Sequence, residues 1–447
     1  LPPLPLPPAV GPLRELPHLR RRRTSPHLYL SSTSPSAPVA IETFPEFPAI
    51  AAASSPSSFS VLIKARAPPL STLRRHDGRA ALDLVAVLDV SNSMTGRKLA
   101  LLKHAVGFVI RRLSPSDRLA IVAFSNTTNR VLALRLMSDA GRAEAADAIN
   151  SLVTSGGTDI AGGLSAGIRI LKERRFRNPV ASIILLSDGI DTMDGFSLAG
   201  RLQSSRRTRD FLQRLPPSAR SVGPIHTFGF GANHDPTIMD AVAEATGGTF
   251  SFVEEEAAVS DAFAACLAGL LSVVAQYLHL TICSASPGVH LTSVGTGNYS
   301  SRISDQRLME VIEVGDMYAE EEKFVLLDVT VPIKEDKNDP SMQLISVYCS
   351  YVDPLTQDII HVEEERTIVR RPDSLSPEDE IANLIVDGQR NRILVAEMSI
   401  AEAQAKADGG DLKGAKAVLD ARRGGTSSFL SLFSWVEFFR SLVDKMC

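Results

Sequence analysis

The sequence has few cysteines. Only four occur among 447 residues, at Cys266, Cys283, Cys349 and Cys447, with no CxxC pair and no regular spacing. This scatter excludes a disulfide framework and a cysteine-based zinc site. Because disulfides accumulate in oxidising compartments, unpaired thiols of this kind favour an intracellular, cytoplasmic protein.

Long apolar runs and a strong charge of one sign are also missing. No stretch approaches the ~20 apolar residues that a membrane-spanning helix needs, and the short aromatic segment 429–439 favours a docking helix over firm membrane association. The formal net charge is only −4 at pH 7, whereas nucleic-acid-binding domains are usually strongly basic. We therefore expect neither a nucleic acid nor a membrane as the partner.

The pattern of residues divides the first part of the chain into three segments. Residues 1–38 are rich in Pro, Ser and Arg and are expected to form a disordered tail. Residues 39–80 hold an alternating strand, FSVLIKA, and a linker. Residues 81–274 alternate apolar strand-like runs with helical ones, and the last helix is predicted from about Ala257 to Val274. This alternation predicts a doubly wound, Rossmann-like α/β domain with a mostly parallel sheet.

The pattern changes after residue 274. Residues 275–372 contain short alternating segments separated by turn residues, which predicts a β-sandwich that the strand in 39–80 would join. Residues 376–422 are predicted to be helical, and 423–447 form a tail without a predicted fold. The arginine-rich segment 191–223 interrupts the alternation of strands and helices and is predicted to form a long loop, with a short helix within it as an alternative. This loop is expected to be solvated, or alternatively to steer acidic partners towards the domain.

Polar side chains follow two of the apolar runs. Asp89, Ser91 and Ser93 form a DxSxS motif directly after LDLVAVL and before a helix, and Asp188 follows VASIILL. Thr158 lies in a GGT loop, where paired glycines permit a tight turn. Since ligands of open α/β sheets bind at the carboxyl ends of the strands, we expect these five residues to converge there.

The five side chains would supply only oxygen donors. Hard oxygen ligands select Mg²⁺, Mn²⁺ or Ca²⁺ over zinc or copper. With two carboxylates and three hydroxyls, water would complete the coordination, and one position could accept an Asp or Glu carboxylate from a partner protein. That is a binding mechanism without a catalytic residue. DxSxS alone would indicate a helix N-cap cluster; Thr158 and Asp188 at strand and loop ends favour the cation site.

The combination of DxSxS, a threonine in GGT and an aspartate in SDG resembles the metal-ion-dependent adhesion site of von Willebrand A domains. The resemblance implies that Ser91 and Ser93 ligate the cation directly. It implies direct or water-mediated ligation by Thr158. Asp89 and Asp188 would act mainly through water or through hydrogen bonds to the ligands.

Longer stretches, among them KLALLKHAVGFVIRRLSPSDRLAIVAFS and HTFGFGANHD, resemble the plant family of RING-type ubiquitin ligases that carry a von Willebrand A domain. The resemblance covers about residues 39–422. In that family a zinc-binding RING precedes the A domain, and no cysteine pattern in this chain matches one. The resemblance therefore implies the substrate- or partner-binding part of such a ligase, and no enzyme in this chain. The alternative is an active ligase whose RING lies outside the chain.

Two motifs point to other chemistry. Gly163-Leu164-Ser165-Ala166-Gly167 spells the G-x-S-x-G of serine hydrolases, and Asp188 and His226 follow it in the order of a Ser, Asp, His triad. The hydrolase elbow needs a buried strand directly before its serine, and none is predicted here, so small residues on a helix packed against the sheet are favoured. Gly229-x-Gly231 lacks the third glycine of a dinucleotide fingerprint. His226 is expected to be a core or hydrogen-bonded histidine.

Overall fold

The computed structural model of the protein describes residues 38–70, 79–188, 204–230, 236–253, 256–295, 300–334 and 339–408, with residues 414 and 418. This part of the chain holds one six-stranded mixed sheet with helices and two antiparallel sheets. The predicted class is therefore confirmed: a mostly parallel α/β unit accompanied by a β-sandwich-like region. Apart from residue 38, both predicted tails lie outside the described residues.

The α/β unit follows two strands, β1 (Ala40–Pro45) and β2 (Phe59–Arg66). Its own strands are β3 (Leu82–Asp89), β4 (Arg118–Phe124), β5 (Thr128–Leu136), β6 (Val180–Ser187), β7 (Ile225–Phe230) and β8 (Phe250–Val253). They lie in the order β5-β4-β3-β6-β7-β8, and β5 alone runs antiparallel to its neighbour. Every residue of β3, β6 and β7 is buried, as central parallel strands covered on both faces should be.

Helices cover both faces of this sheet. They are α1 (Arg97–Arg112), α2 (Asp139–Asn150), α3 (Ile160–Glu173), α4 (Ser204–Arg214), α5 (Pro236–Thr246) and α6 (Glu256–Leu271). One face of the sheet packs against apolar residues of α1, α2 and α6, and the other against those of α3, α4 and α5. Both faces of the central strands are thus covered, and the ends of these strands are left as the place for a ligand.

The two antiparallel sheets share one apolar core. Their strands are β9 (Val273–Ser284), β10 (His290–Gly295), β11 (Ser300–Ile303), β12 (Met309–Tyr318), β13 (Glu322–Thr330), β14 (Ser341–Val352) and β15 (Ile359–Arg370), and a helix, α7 (Leu384–Asp408), follows. The strand orders are β1-β2-β13-β10 and β11-β12-β9-β14-β15. Because β2 pairs with β13, a strand that precedes the α/β unit in the chain lies in the same sheet as strands that follow it. Of the described helices, none is long and apolar enough to cross a membrane.

The structure gives the bounds of three segments that the sequence placed only approximately. The helix predicted to reach Val274 ends at Leu271, and Val273 already begins β9; that prediction was wrong by three residues. The arginine-rich segment contains a helix, α4, while residues 189–203 lie outside the described residues. The steering role of its arginines stays a prediction. The C-terminal helix begins at Leu384.

The G-x-S-x-G motif lies in the middle of α3, and the described residues 151–159 before it contain no strand. A Cβ placed on Gly163 would lie 2.7 Å from the ring of Phe124, and one on Gly167 would lie 2.8 Å from Cγ2 of Val87. The two glycines therefore allow α3 to approach β3 and β4 closely. Ser165 is therefore a helix residue without the preceding strand that the hydrolase elbow needs.

Gly163→Ala is expected to destabilise the protein by about 1–3 kcal/mol, because the new methyl group would overlap the fully buried Phe124 ring. The better helix propensity of alanine offsets only about 0.5–1 kcal/mol of this cost. Gly388→Ala in α7 is the matched control, since a Cβ there meets no described atom within 4 Å. Urea denaturation compares the two variants, and equal stabilities would contradict the packing role of Gly163.

Candidate metal centre

Asp89 is the last residue of β3 and is fully buried. Its Oδ1 accepts a hydrogen bond from the Ser91 N–H at 2.8 Å, and its Oδ2 accepts one from the Ser187 hydroxyl at 2.5 Å. Burial raises the pKa of Asp89 to about 6 against the effect of these hydrogen bonds, and the charge of Asp188 adds to the rise. Two mutually repelling carboxylates therefore meet at the ends of β3 and β6.

Ser91 and Ser93 lie in the tight turn that follows β3. The two hydroxyl oxygens are 2.9 Å apart, with Ser91 buried and Ser93 exposed. A single 3₁₀ turn, Asn92–Met94, and the left-handed Gly96 (φ 77°) then lead into α1. The turn thus sets two hydroxyls side by side, one facing the strand ends and one facing solvent.

The loop that carries Thr158 is tied to this turn by backbone hydrogen bonds. The Ser155 N–H donates to the Val90 carbonyl at 2.8 Å, and the Asn92 N–H donates to the Gly156 carbonyl at 3.0 Å. Gly156 has φ +72°, a left-handed conformation that glycine adopts without strain. Thr158 itself is buried. The GGT loop is therefore held on both sides of Ser91, as the predicted convergence requires.

Asp188 directly follows β6 and is also fully buried. Its Oδ2 accepts a hydrogen bond from the Lys98 ammonium group at 2.9 Å. Its Oδ1 is buried and has no hydrogen-bond partner among the described residues. A buried carboxylate oxygen that lacks a hydrogen bond is costly, because burial removes the water that would otherwise bind it.

Lys98 and Ser187 take part in the site but were not among the predicted residues. Ser187 precedes Asp188, and its hydroxyl orients Asp89. Lys98 lies in the first turn of α1, a turn without acidic residues, where the helix dipole disfavours a cation. This unfavourable position is the feature of the sequence that could have indicated a carboxylate close to Lys98.

The donors at the strand ends fit a hard divalent cation. The described residues contain no group of three or more His, Cys, Asp and Glu that could hold a metal; the donor set here is two carboxylates and three hydroxyls. Asp188 Oδ1 offers a buried acceptor that a cation, or a water bound to it, would satisfy. Oxygen-only donors suit Mg²⁺, Mn²⁺ or Ca²⁺.

Comparison with known proteins gives the domain family. Residues 83–265 match the von Willebrand factor type A domain. This chain contains a von Willebrand factor type A domain. The matched residues include all five of the predicted site and most of the α/β unit, so the candidate metal centre belongs to this A domain.

Similarity to two plant proteins extends beyond the A domain. The chain is 28% identical over 405 residues to the E3 ubiquitin-protein ligase WAV3 of Arabidopsis thaliana, covering 86% of this chain and 49% of that protein. It is 31% identical over 383 residues to the probable E3 ubiquitin-protein ligase WAVH2 of the same plant, covering 84% of this chain and 47% of that one. The chain thus spans about half the length of these curated relatives.

A solved structure supports the fold of both parts. The structure titled von Willebrand factor type A from Catenulispora acidiphila aligns with a TM-score of 0.63 and 19% identity. The alignment covers 93% of this chain and 91% of that one. The A domain and the β-rich region therefore occur together in that fold too.

His226, the third residue of the supposed triad, lies in the core. It is 2% exposed in β7, and its Nδ1 accepts a hydrogen bond from the Thr249 N–H at 3.2 Å. Burial lowers the pKa of His226 to about 4. The prediction of a core, hydrogen-bonded histidine is confirmed.

Proposed function

We propose that this A domain binds one divalent cation, Mg²⁺ first among Mg²⁺, Mn²⁺ and Ca²⁺, and through it an Asp or Glu carboxylate of a partner protein. The observation that carries the proposal is the buried Oδ1 of Asp188, which lacks a hydrogen-bond partner among the described residues. A buried polar group of this kind needs a hydrogen-bonding or coordinating partner, and a bound cation, or a water on it, would supply one.

The roles of the five residues follow from where they lie. Ser91, Ser93 and Thr158 would hold the cation through their hydroxyl oxygens. Asp89 would act indirectly, because its two oxygens already accept hydrogen bonds from Ser91 and Ser187. The bound cation would supply an electrophilic centre that attracts a further oxygen ligand, since Mg²⁺ usually retains exchangeable waters in proteins.

The partner-binding role fits a ubiquitin-ligase-type protein. The similarity to the two Arabidopsis ligases runs through the A domain and beyond it, which supports substrate or partner recognition as the task of this region. The second candidate is that the chain belongs to an active ligase whose RING lies outside it. A full-length transcript that encodes an upstream RING, together with a ubiquitination assay of its product, would decide between the two.

Ser91→Ala combined with Ser93→Ala is expected to abolish the rise in melting temperature that Mg²⁺ gives the wild type. The fold should persist, because the backbone bonds of the turn and of the GGT loop remain. Ser114→Ala with Ser116→Ala is the matched control, since it removes another hydroxyl pair, 2.8 Å apart and outside the site. Thermal melts with Mg²⁺ and with chelator measure the effect. A double variant that still responds fully to Mg²⁺ would show that the site is assigned wrongly.

Partner binding is tested by affinity purification from plant extract. We expect proteins that bind the wild-type chain with Mg²⁺ and are lost both with chelator and with the Ser91/Ser93 double variant. Proteins that bind equally under all three conditions would contradict a cation-mediated interaction.

A further inference from the structure

The ion pair between Lys98 and Asp188 lies inside the candidate metal centre. The Lys98 Nζ is 2.9 Å from Asp188 Oδ2, and these residues are 90 positions apart in the chain. The Asp188 side chain is fully buried, whereas 25% of the Lys98 side chain is exposed. One end of the pair is therefore fixed in the interior, and the other lies at the surface.

The cation-free site needs a positive charge. A buried carboxylate left without a counter-charge is strongly destabilising, and Asp188 also faces the charge of Asp89. Lys98 supplies that counter-charge from outside the donor set. Its flexible stem and strongly hydrated ammonium group allow it to leave for solvent when another cation arrives.

The same ammonium group opposes a metal ion. Both cations are attracted to the Asp188 carboxylate, and at close range in a partly buried site their mutual repulsion is strong. The Lys98 ammonium group is paired with Asp188, whereas the hydrogen bonds to the two Asp89 oxygens come from Ser91 and Ser187. The two cations are thus alternatives at Asp188.

We propose that Lys98 is the resident counter-ion of the cation-free site, and that a divalent cation binds by displacing its ammonium group from Asp188. This inference rests on the proposed cation site. Lys98 then lowers the affinity for every metal ion and selects by charge. A monovalent ion that replaces Lys98 adds no charge to the site, whereas a divalent ion adds one.

The test is titration of the full chain with Mn²⁺, followed by electron paramagnetic resonance and calorimetry. Lys98→Met is expected to bind Mn²⁺ at least about tenfold more tightly than the wild type, a change of about 1.4 kcal/mol. In chelator it should melt at a lower temperature than the wild type, and saturating Mn²⁺ should close the gap. Lys103→Met is the matched control on the same helix, where the lysine donates to the Asn150 carbonyl. Its Mn²⁺ affinity should equal that of the wild type.

A second variant covers the case in which Lys98→Met does not fold in chelator. Lys98→Gln keeps a neutral N–H donor for Asp188 and should also bind Mn²⁺ more tightly than the wild type. If a Lys98 variant binds Mn²⁺ and the wild type binds none, the result also supports the proposal, because it means that Mn²⁺ cannot displace the Lys98 ammonium group from Asp188 in the wild type.

Two results would overturn the inference. If both Lys98 variants bind Mn²⁺ no more tightly than the wild type, while the Ser91/Ser93 double variant binds none, Lys98 remains on Asp188 in the loaded site; the proposed site then stands without the displacement. If neither the wild type nor the Lys98 variants bind Mn²⁺, the proposed function fails and the displacement with it.

Discussion

Asp188→Ala is expected to lose the entire stabilisation that Mg²⁺ gives to the wild type. At a cation concentration about 100 times the Kd that stabilisation is about 2.7 kcal/mol. It disappears because the variant lacks the only buried carboxylate oxygen in the site that has no partner among the described residues. In chelator we expect the variant to be at least as stable as the wild type, because the repulsion of Asp89 is removed and Lys98 can turn to solvent.

Thermal melts with chelator and with Mg²⁺ measure both effects. Ser165→Ala is the control, because Ser165 lies within α3 and outside the strand-end site. It should keep the full response to Mg²⁺. Equal losses in the two variants would revive the hydrolase interpretation, and a full response in Asp188→Ala would remove Asp188 from the metal centre.

Acidification is expected to destabilise the protein through His226. The pKa of this buried imidazole falls from an ordinary value of 6.5 to about 4 in the folded state, so the unfolded chain binds the proton more readily. The stability contributed by the neutral imidazole is therefore complete above pH 6.5 and is lost as the pH falls towards 4. Between about pH 7.5 and about pH 4.5, the loss from this one group is roughly 2.5 kcal/mol.

Urea denaturation at the two pH values isolates this contribution. His226→Gln removes the titrating group and should lose roughly 2.5 kcal/mol less than the wild type over the same interval. His361→Gln, at an exposed position in β15, controls for the removal of a histidine as such. If the wild type and His226→Gln lose equal stability, His226 does not carry the pH dependence.

Much of the fold could be predicted because buried elements leave strong patterns. The runs that form β3 and β6 are apolar throughout, since both faces of a central parallel strand are covered. β1 and β11 were not predicted. Each lies at the edge of its sheet and pairs on one side only, so fewer of its positions must be apolar.

The site could be predicted only in part, because local patterns mark the ends of strands but not contacts between residues far apart in the chain. Asp89 and Asp188 were placed because each directly follows a recognisable strand, and the ends of parallel strands meet. The ion pair between Lys98 and Asp188 joins residues 90 positions apart on a helix and a strand end. No local pattern links them, and only the packing of α1 on the sheet brings them into contact.

The pairing of β2 with β13 also affects the synthesis of the protein. Ser60 in β2 donates a hydrogen bond to Asp328 in β13, 268 residues later in the chain. A ribosome that adds ~5–20 residues per second needs roughly 13–54 seconds for that interval. Throughout it the nascent β1–β2 hairpin has one unpaired strand edge, although Phe59, Val61 and Ile63 are buried in the finished protein. The A domain, whose strands are all made within that interval, can fold first. The hairpin must meanwhile be kept from pairing with other nascent chains, since exposed apolar edges are sites of aggregation.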